Sequence, residues 1–248
     1  MYGVLATILV GAVGMQALAQ PPAPRPPEHL SWYGDPSAPD ISGVWVRQPS
    51  TGSASKEGWM PWPPPLKPAF AAKWTARVEE AKAGTRTDDP IQACLPPGMP
   101  RFMTGAKGPL LILQTPGRVM MYRDGDPVRR IWLDGHPFPD AKDLESFSNG
   151  NARGRYDGRD LVTEVVGIKD QPIDGTGVPR SDDLKITERY HRVDAGTLRV
   201  EVTLTDPTAY DRPMTDTVIY KALNDPSWEP KEFICTPKTN YDPDAYIH

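Results

Sequence analysis

LKITERYHRVDAGTLRVEVTLT, residues 184–205, reads as two strands joined by one turn. Apolar and polar side chains alternate with a period of two on both sides of Asp194-Ala195-Gly196, and such alternation marks strands with one buried face. In the second strand Leu198, Val200, Val202 and Leu204 share the buried face, while Arg199 and Glu201 share the other. In the first strand Leu184 and Ile186 set the apolar phase. That phase carries Glu188 and Tyr190 inward and leaves Lys185, Thr187, Arg189 and His191 facing solvent.

The same punctuation extends over the chain from Pro109 onward. Further strands are expected at 110–114, 118–123, 128–133, 154–156, 161–168 and 214–222, with the pair above at 184–193 and 197–206. Thr115-Pro116-Gly117, Asp124-Gly125-Asp126 and Asp157-Gly158 supply turns between them. A spacing of about ten residues with tight hairpins describes an antiparallel meander. Eight or nine such strands, opening on Gly43-Val44-Trp45, close most economically into a mainly-β barrel; a β-sandwich is the alternative. One helix is expected: Pro68 suits a first turn, Phe70, Trp74, Val78 and Ala81 recur at helical spacing, and Gly84 ends it.

Composition narrows the class. Thirty prolines in 248 residues are more than twice the usual share of about 5%, which argues against helical bundles and doubly wound parallel sheets. Seven Trp, nine Tyr and five Phe argue against disorder. The formal net charge is −4 and no run of Lys or Arg forms a phosphate-binding patch, so nucleic acid is not an expected partner.

The N-terminus reads as a secretory signal over residues 1–19. Val4 to Met15 is an apolar stretch too short for a comfortable span, and Ala17-Leu18-Ala19 fits a small-x-small cleavage site. A retained anchor is the alternative; after signal removal no membrane span is expected. Residues 20–39, with Pro21 to Pro27, read as an extended tether, and 40–248 as one barrel domain. A periplasmic or secreted location follows. There an even pair of cysteines reads as a disulfide, Cys94 to Cys235, with a pair of buried free thiols as the alternative.

The segments SGVW (42–45), CLPPGMPR (94–101), LQTPGRV (113–119), RRIWLDG (129–135), GRYDGRDLV (154–162), ITERYHRVD (186–194) and TLTDPTAY (203–210) together resemble a family of exported bacterial proteins of unknown function. The resemblance covers most of Ile41 to Cys235 and implies a calycin-like barrel with a Gly-x-Trp opening. It implies no activity. The chain departs from the family pattern at two positions, with Asn151 after the Asn-Gly pair and Thr236 after the last cysteine, where the pattern has histidines.

Phase selects the candidate site. The face shared by Val128, Arg130, Trp132 and Asp134 is expected inward, as are Glu164, in phase with Val162 and Val166, and Tyr156. A buried carboxylate needs a cation, a donor or a proton. Arg130 or Arg155 pairing with Glu188 and Glu164 makes a closed network; a polar patch in an apolar pocket makes proton-transfer groups. His136 with Asp134 at a strand end forms an acid–base pair at the barrel mouth, or a solvated loop. No HxH or HExxH spacing predicts a metal, and no motif calls for a cofactor. The leading expectation is a cofactor-free lyase, isomerase or hydrolase acting on a small, partly apolar molecule. Its catalytic residues are Glu188, Glu164, His136 and Asp134, and its ligand-binding residues Arg130, Tyr190, Tyr156 and Trp132. A non-catalytic small-molecule-binding barrel and an envelope interaction module are the alternatives. Oligomeric state is not legible.

Overall fold

Period-two patterning becomes nine strands in the computed structural model, which describes residues 39–49, 63–105 and 108–231. They are β1 (Gly43–Arg47), β2 (Leu110–Thr115), β3 (Arg118–Tyr122), β4 (Arg129–Trp132), β5 (Asn151–Asp157), β6 (Asp160–Val166), β7 (Lys185–Asp194), β8 (Thr197–Thr205) and β9 (Met214–Ala222). Each strand bonds to its neighbour in sequence and β9 returns to β1, closing the barrel. The mainly-β barrel is therefore the observed fold. The leader 1–19, Cys235 and all of the tether except Pro39 lie outside the described residues.

Nine strands that alternate in direction leave the first and last pointing the same way. Here β1 and β9 nevertheless pair antiparallel, with Trp45 opposite Ala222 and Arg47 opposite Tyr220. The reversal is absorbed at β4 and β5, which run parallel with Ile131 beside Ala152 and Trp132 beside Arg153. The expected wholly antiparallel meander is corrected at this one joint. Parallel neighbours need a crossover rather than a hairpin, and residues 133–150 provide it, carrying Asp134 and His136 across the outside of the wall.

Both barrel ends are closed by side chains. At one end Met99 and the short helix α2 (Arg101–Thr104) bury Phe102 and Met103, and the Tyr220 hydroxyl donates to the Met103 carbonyl. The helix expected from Pro68 is α1 (Pro68–Lys82), whose Phe70 and Trp74 pack against the core. Between the two helices, Cys94 follows a 3-10 turn, Pro90–Ala93. At the other end the Trp45 indole is fully buried and its Nε1–H donates to the Ile41 carbonyl at 3.1 Å. The Arg192 guanidinium lies 5.3 Å from the Trp45 ring centroid and donates to the Asp40 carbonyl at 2.9 Å. Leu110, Ile112, Met121, Ile131, Val200, Val202 and Tyr220, all inaccessible to water, fill the space between. Burying each such side chain contributes about 1.5–3 kcal/mol, so the filled interior is what holds the wall closed. Among the described residues no helix is long and apolar enough to cross a membrane.

Candidate functional site

Strand β7 delivers Glu188 and Tyr190 to the interior, as the alternation of residues 184–190 requires. The Glu188 carboxylate is met there by Arg129 of β4. Arg129 Nη1 donates to Oε1 at 3.0 Å and Nη2 to Oε2, while the Thr163 hydroxyl donates to Oε2 at 2.6 Å. Arg129 Nη1 also reaches the Tyr190 hydroxyl at 3.0 Å. Burial by itself would lower the Arg129 pKa, but the Glu188 carboxylate and Tyr190 outweigh it and hold the guanidinium above its ordinary value. Burial pushes the Tyr190 phenol well above its usual range. Both carboxylate oxygens of Glu188 are bonded, and the network lies entirely in the dry interior. This is a self-neutralised ion pair of the kind that fixes one arrangement of a core.

Arg130 is corrected by this geometry. The inward residues of β4 are Arg129 and Ile131, so Arg130 is exposed and Trp132 lies half-buried on the outer face. Glu164 is corrected likewise. Thr163 stands opposite Glu188 across β6 and β7, and a neighbour one residue along a strand points the other way. Glu164 therefore sits outside with Lys185 Nζ at 3.3 Å. The two carboxylates expected to share proton transfer lie on opposite sides of the wall. Tyr156 does face the core, half-buried, with its hydroxyl accepting from Gln114 Nε2 at 2.6 Å.

Asp134 is not interior; it lies in the crossover beyond β4. Its Oδ1 accepts the His136 backbone N–H at 3.1 Å and its Oδ2 lies 3.1 Å from His136 Nδ1. The donated backbone N–H holds the Asp134 carboxyl below its usual value. The expected Asp134–His136 pair thus exists, on an exposed loop outside the wall.

On that outer face the strand register builds a row that no sequence pattern announced. Arg118 stands beside Trp132, Trp132 beside Arg153, Arg153 beside Glu164, and Glu164 beside Thr187, across five strands from β3 to β7. The Arg118 guanidinium lies 4.5 Å from the Trp132 ring centroid. Between the row and the crossover is a groove of about 320 Å³, lined by Trp132, His136, Arg153, Arg155, Glu164 and Thr187 among others. Such a volume lies at the lower end of small-ligand sites. Arg153 lies 5.7 Å from the Phe138 ring centroid, and its buried Nε has no hydrogen-bond partner among the described residues.

The groove thus gathers Trp132, His136 and Glu164, three residues selected from the sequence, but on the outer surface rather than inside. Arg129, Thr163 and Arg153 were not selected, and Arg155 was named only as a partner for the inward carboxylates; for Arg129 the only signal was its place one residue out of phase with Arg130. A second hollow, of about 410 Å³, lies between Asp40, Arg159, Arg192 and Asp194, beside Pro39 where the described chain begins. Among the described residues no group of three His, Cys, Asp or Glu side chains could hold a metal ion. Comparison with protein-family models, with curated proteins and with solved structures returned no match.

Proposed function

We propose that this barrel is a non-catalytic small-molecule-binding protein whose ligand sits in the outer groove beside Trp132. The observation that carries the reading is the convergence, in one groove, of an indole wall, two arginines, a histidine, a carboxylate and a hydroxyl from four strands and the crossover. A few polar groups around an aromatic surface are the usual make-up of a ligand site. The acid–base lyase, isomerase or hydrolase has less support, since Glu188 is locked to Arg129 and Glu164 lies across the wall from it. The leader and the resemblance to exported barrels support a role outside the cytoplasm. Sequencing the mature N-terminus for a start at Gln20 tests that part.

Binding is tested by a fragment screen on the full chain, reading the indole Nε1–H resonances of its seven tryptophans by NMR. Hits are expected to shift Trp132 and spare the buried Trp45. Hits that perturb the Tyr190 region while leaving Trp132 unmoved would place the site inside and overturn the reading. Conversion of any hit to product, lost in Glu188→Gln, would restore the enzyme.

A further inference from the structure

Resting on that reading of the groove, we infer that its ligand is a small planar anion: an aromatic or conjugated carboxylate whose ring lies on Trp132 and whose acid group meets Arg153 and Arg155. The charges around the groove do not cancel. Glu164 is taken by Lys185 at 3.3 Å, and Asp134 by His136 at 3.1 Å. Among the described residues Arg153 and Arg155 have no carboxylate within ion-pair distance. Asp134 is the acid whose charge Arg153 feels, and its own hydrogen bonds go to His136. A surplus of two guanidinium groups therefore faces one hollow in a chain whose net charge is −4.

Geometry makes the surplus specific. Arg153 sits next to Trp132 on the same face of the parallel pair, so a guanidinium and an indole are offered side by side, one strand spacing apart. The buried Arg153 Nε–H has no hydrogen-bond partner among the described residues. A buried donor left unmade is costly, and a carboxylate is the partner that rewards it most because the resulting bond is charge-assisted. Arg118, on the strand opposite to that of Arg153, lies 4.5 Å from the Trp132 ring centroid, and the same indole lines the groove, where a flat aromatic partner can stack. A cationic ligand would instead meet two unneutralised arginines.

The test uses three matched probes on the full chain: indole-3-acetate, its neutral amide indole-3-acetamide, and the cation tryptamine. Affinity is read by calorimetry and the site by shifts of the Trp132 Nε1–H and Arg153 Nε–H resonances. The acetate is expected to bind at least about tenfold more tightly than the amide, as a charge-assisted bond implies, and to weaken as salt is raised. Arg153→Gln should shrink that difference by weakening the acetate more than the amide. Arg155→Gln, at an exposed position, should reduce it in a fold not in question. Equal binding of acetate and amide at Trp132 would overturn the anion and leave the groove standing, and so would tighter binding of tryptamine. Absence of any Trp132 shift with all three probes would overturn the groove together with the anion.

Discussion

Arg129 and Glu188 lie 59 positions apart in sequence and meet through two hydrogen bonds in the dry centre of the barrel. Removing one partner strands a charge where no water reaches it. Arg129→Met is expected to lower unfolding free energy by about 3–5 kcal/mol, and Arg129→Met with Glu188→Leu to recover most of the loss. Denaturant melts of the single and double variants check this. A double variant no more stable than the single would show that the pair contributes more than its own neutralisation.

Three buried tyrosines resist ionisation. Burial raises the phenol pKa of Tyr190, Tyr210 and Tyr220, with Arg123 and Arg47 opposing the rise at Tyr220. An acid whose folded pKa lies above its unfolded value stabilises the fold fully below the unfolded value, 10.0 for tyrosine, and loses that contribution as pH climbs above it. Stability is therefore expected to fall above about pH 10. Following phenolate absorbance against pH, the signals of Tyr190, Tyr210 and Tyr220 should appear together with unfolding.

Acid has the opposite sign at Asp160. Burial would raise its pKa, but hydrogen bonds from Arg189 and His191 outweigh burial and lower it. Its contribution is present above the ordinary carboxylate range and is lost as pH falls through the depressed folded value. Asp160→Asn should flatten the acid limb of a melting-temperature profile relative to the parent. An unchanged limb would show that the His191–Asp160 contact, 2.5 Å long, has no weight in solution.

Gly98 has φ +61, and a Cβ added there would fall 2.1 Å from the Ser148 carbonyl oxygen. That oxygen also accepts the Met99 N–H at 2.9 Å, tying the segment before α2 to the crossover. Gly98→Ala combines a left-handed backbone with a backbone collision and should destabilise by at least about 2 kcal/mol. Gly158→Ala, with φ +60 and open space around it, isolates the conformational part and should be milder. Thermal melts of the two rank them.

The exposed pair Glu164–Lys185 marks the other extreme. With both side chains more than 40% accessible, Glu164→Gln should change stability by less than about 1 kcal/mol. A larger loss in a denaturant melt would mean that Glu164 supports the groove beyond its lysine.

Legibility in the sequence followed the strictness of alternation. Residues 184–191 and 197–205 alternate strictly, and there the inward placement of Glu188 and Tyr190 was read correctly. In 128–133 apolar residues occupy both phases, Val128 and Trp132 in one, Ile131 and Leu133 in the other. What decides between them is Glu188, whose charge draws Arg129 inward from 59 residues away. In 161–166 the apolar residues again fill both phases, and the Thr163 hydroxyl bound to Glu188 settles which faces in. The parallel joint was illegible for a different reason. It depends on how a closed ring of nine strands reconciles direction, a global count that no local motif records.

That joint is also where the wall is thinnest. β4 and β5 share two paired positions, Ile131 with Ala152 and Trp132 with Arg153, whereas β7 and β8 pair along nearly their whole length. A ring held by so short a clasp has a seam, and the seam runs under the groove. A molecule lying across Trp132 and Arg153 would stitch its two lips together. Occupancy would then be felt around the whole circumference as slower amide exchange, with Ile131 and Ala152 changing first.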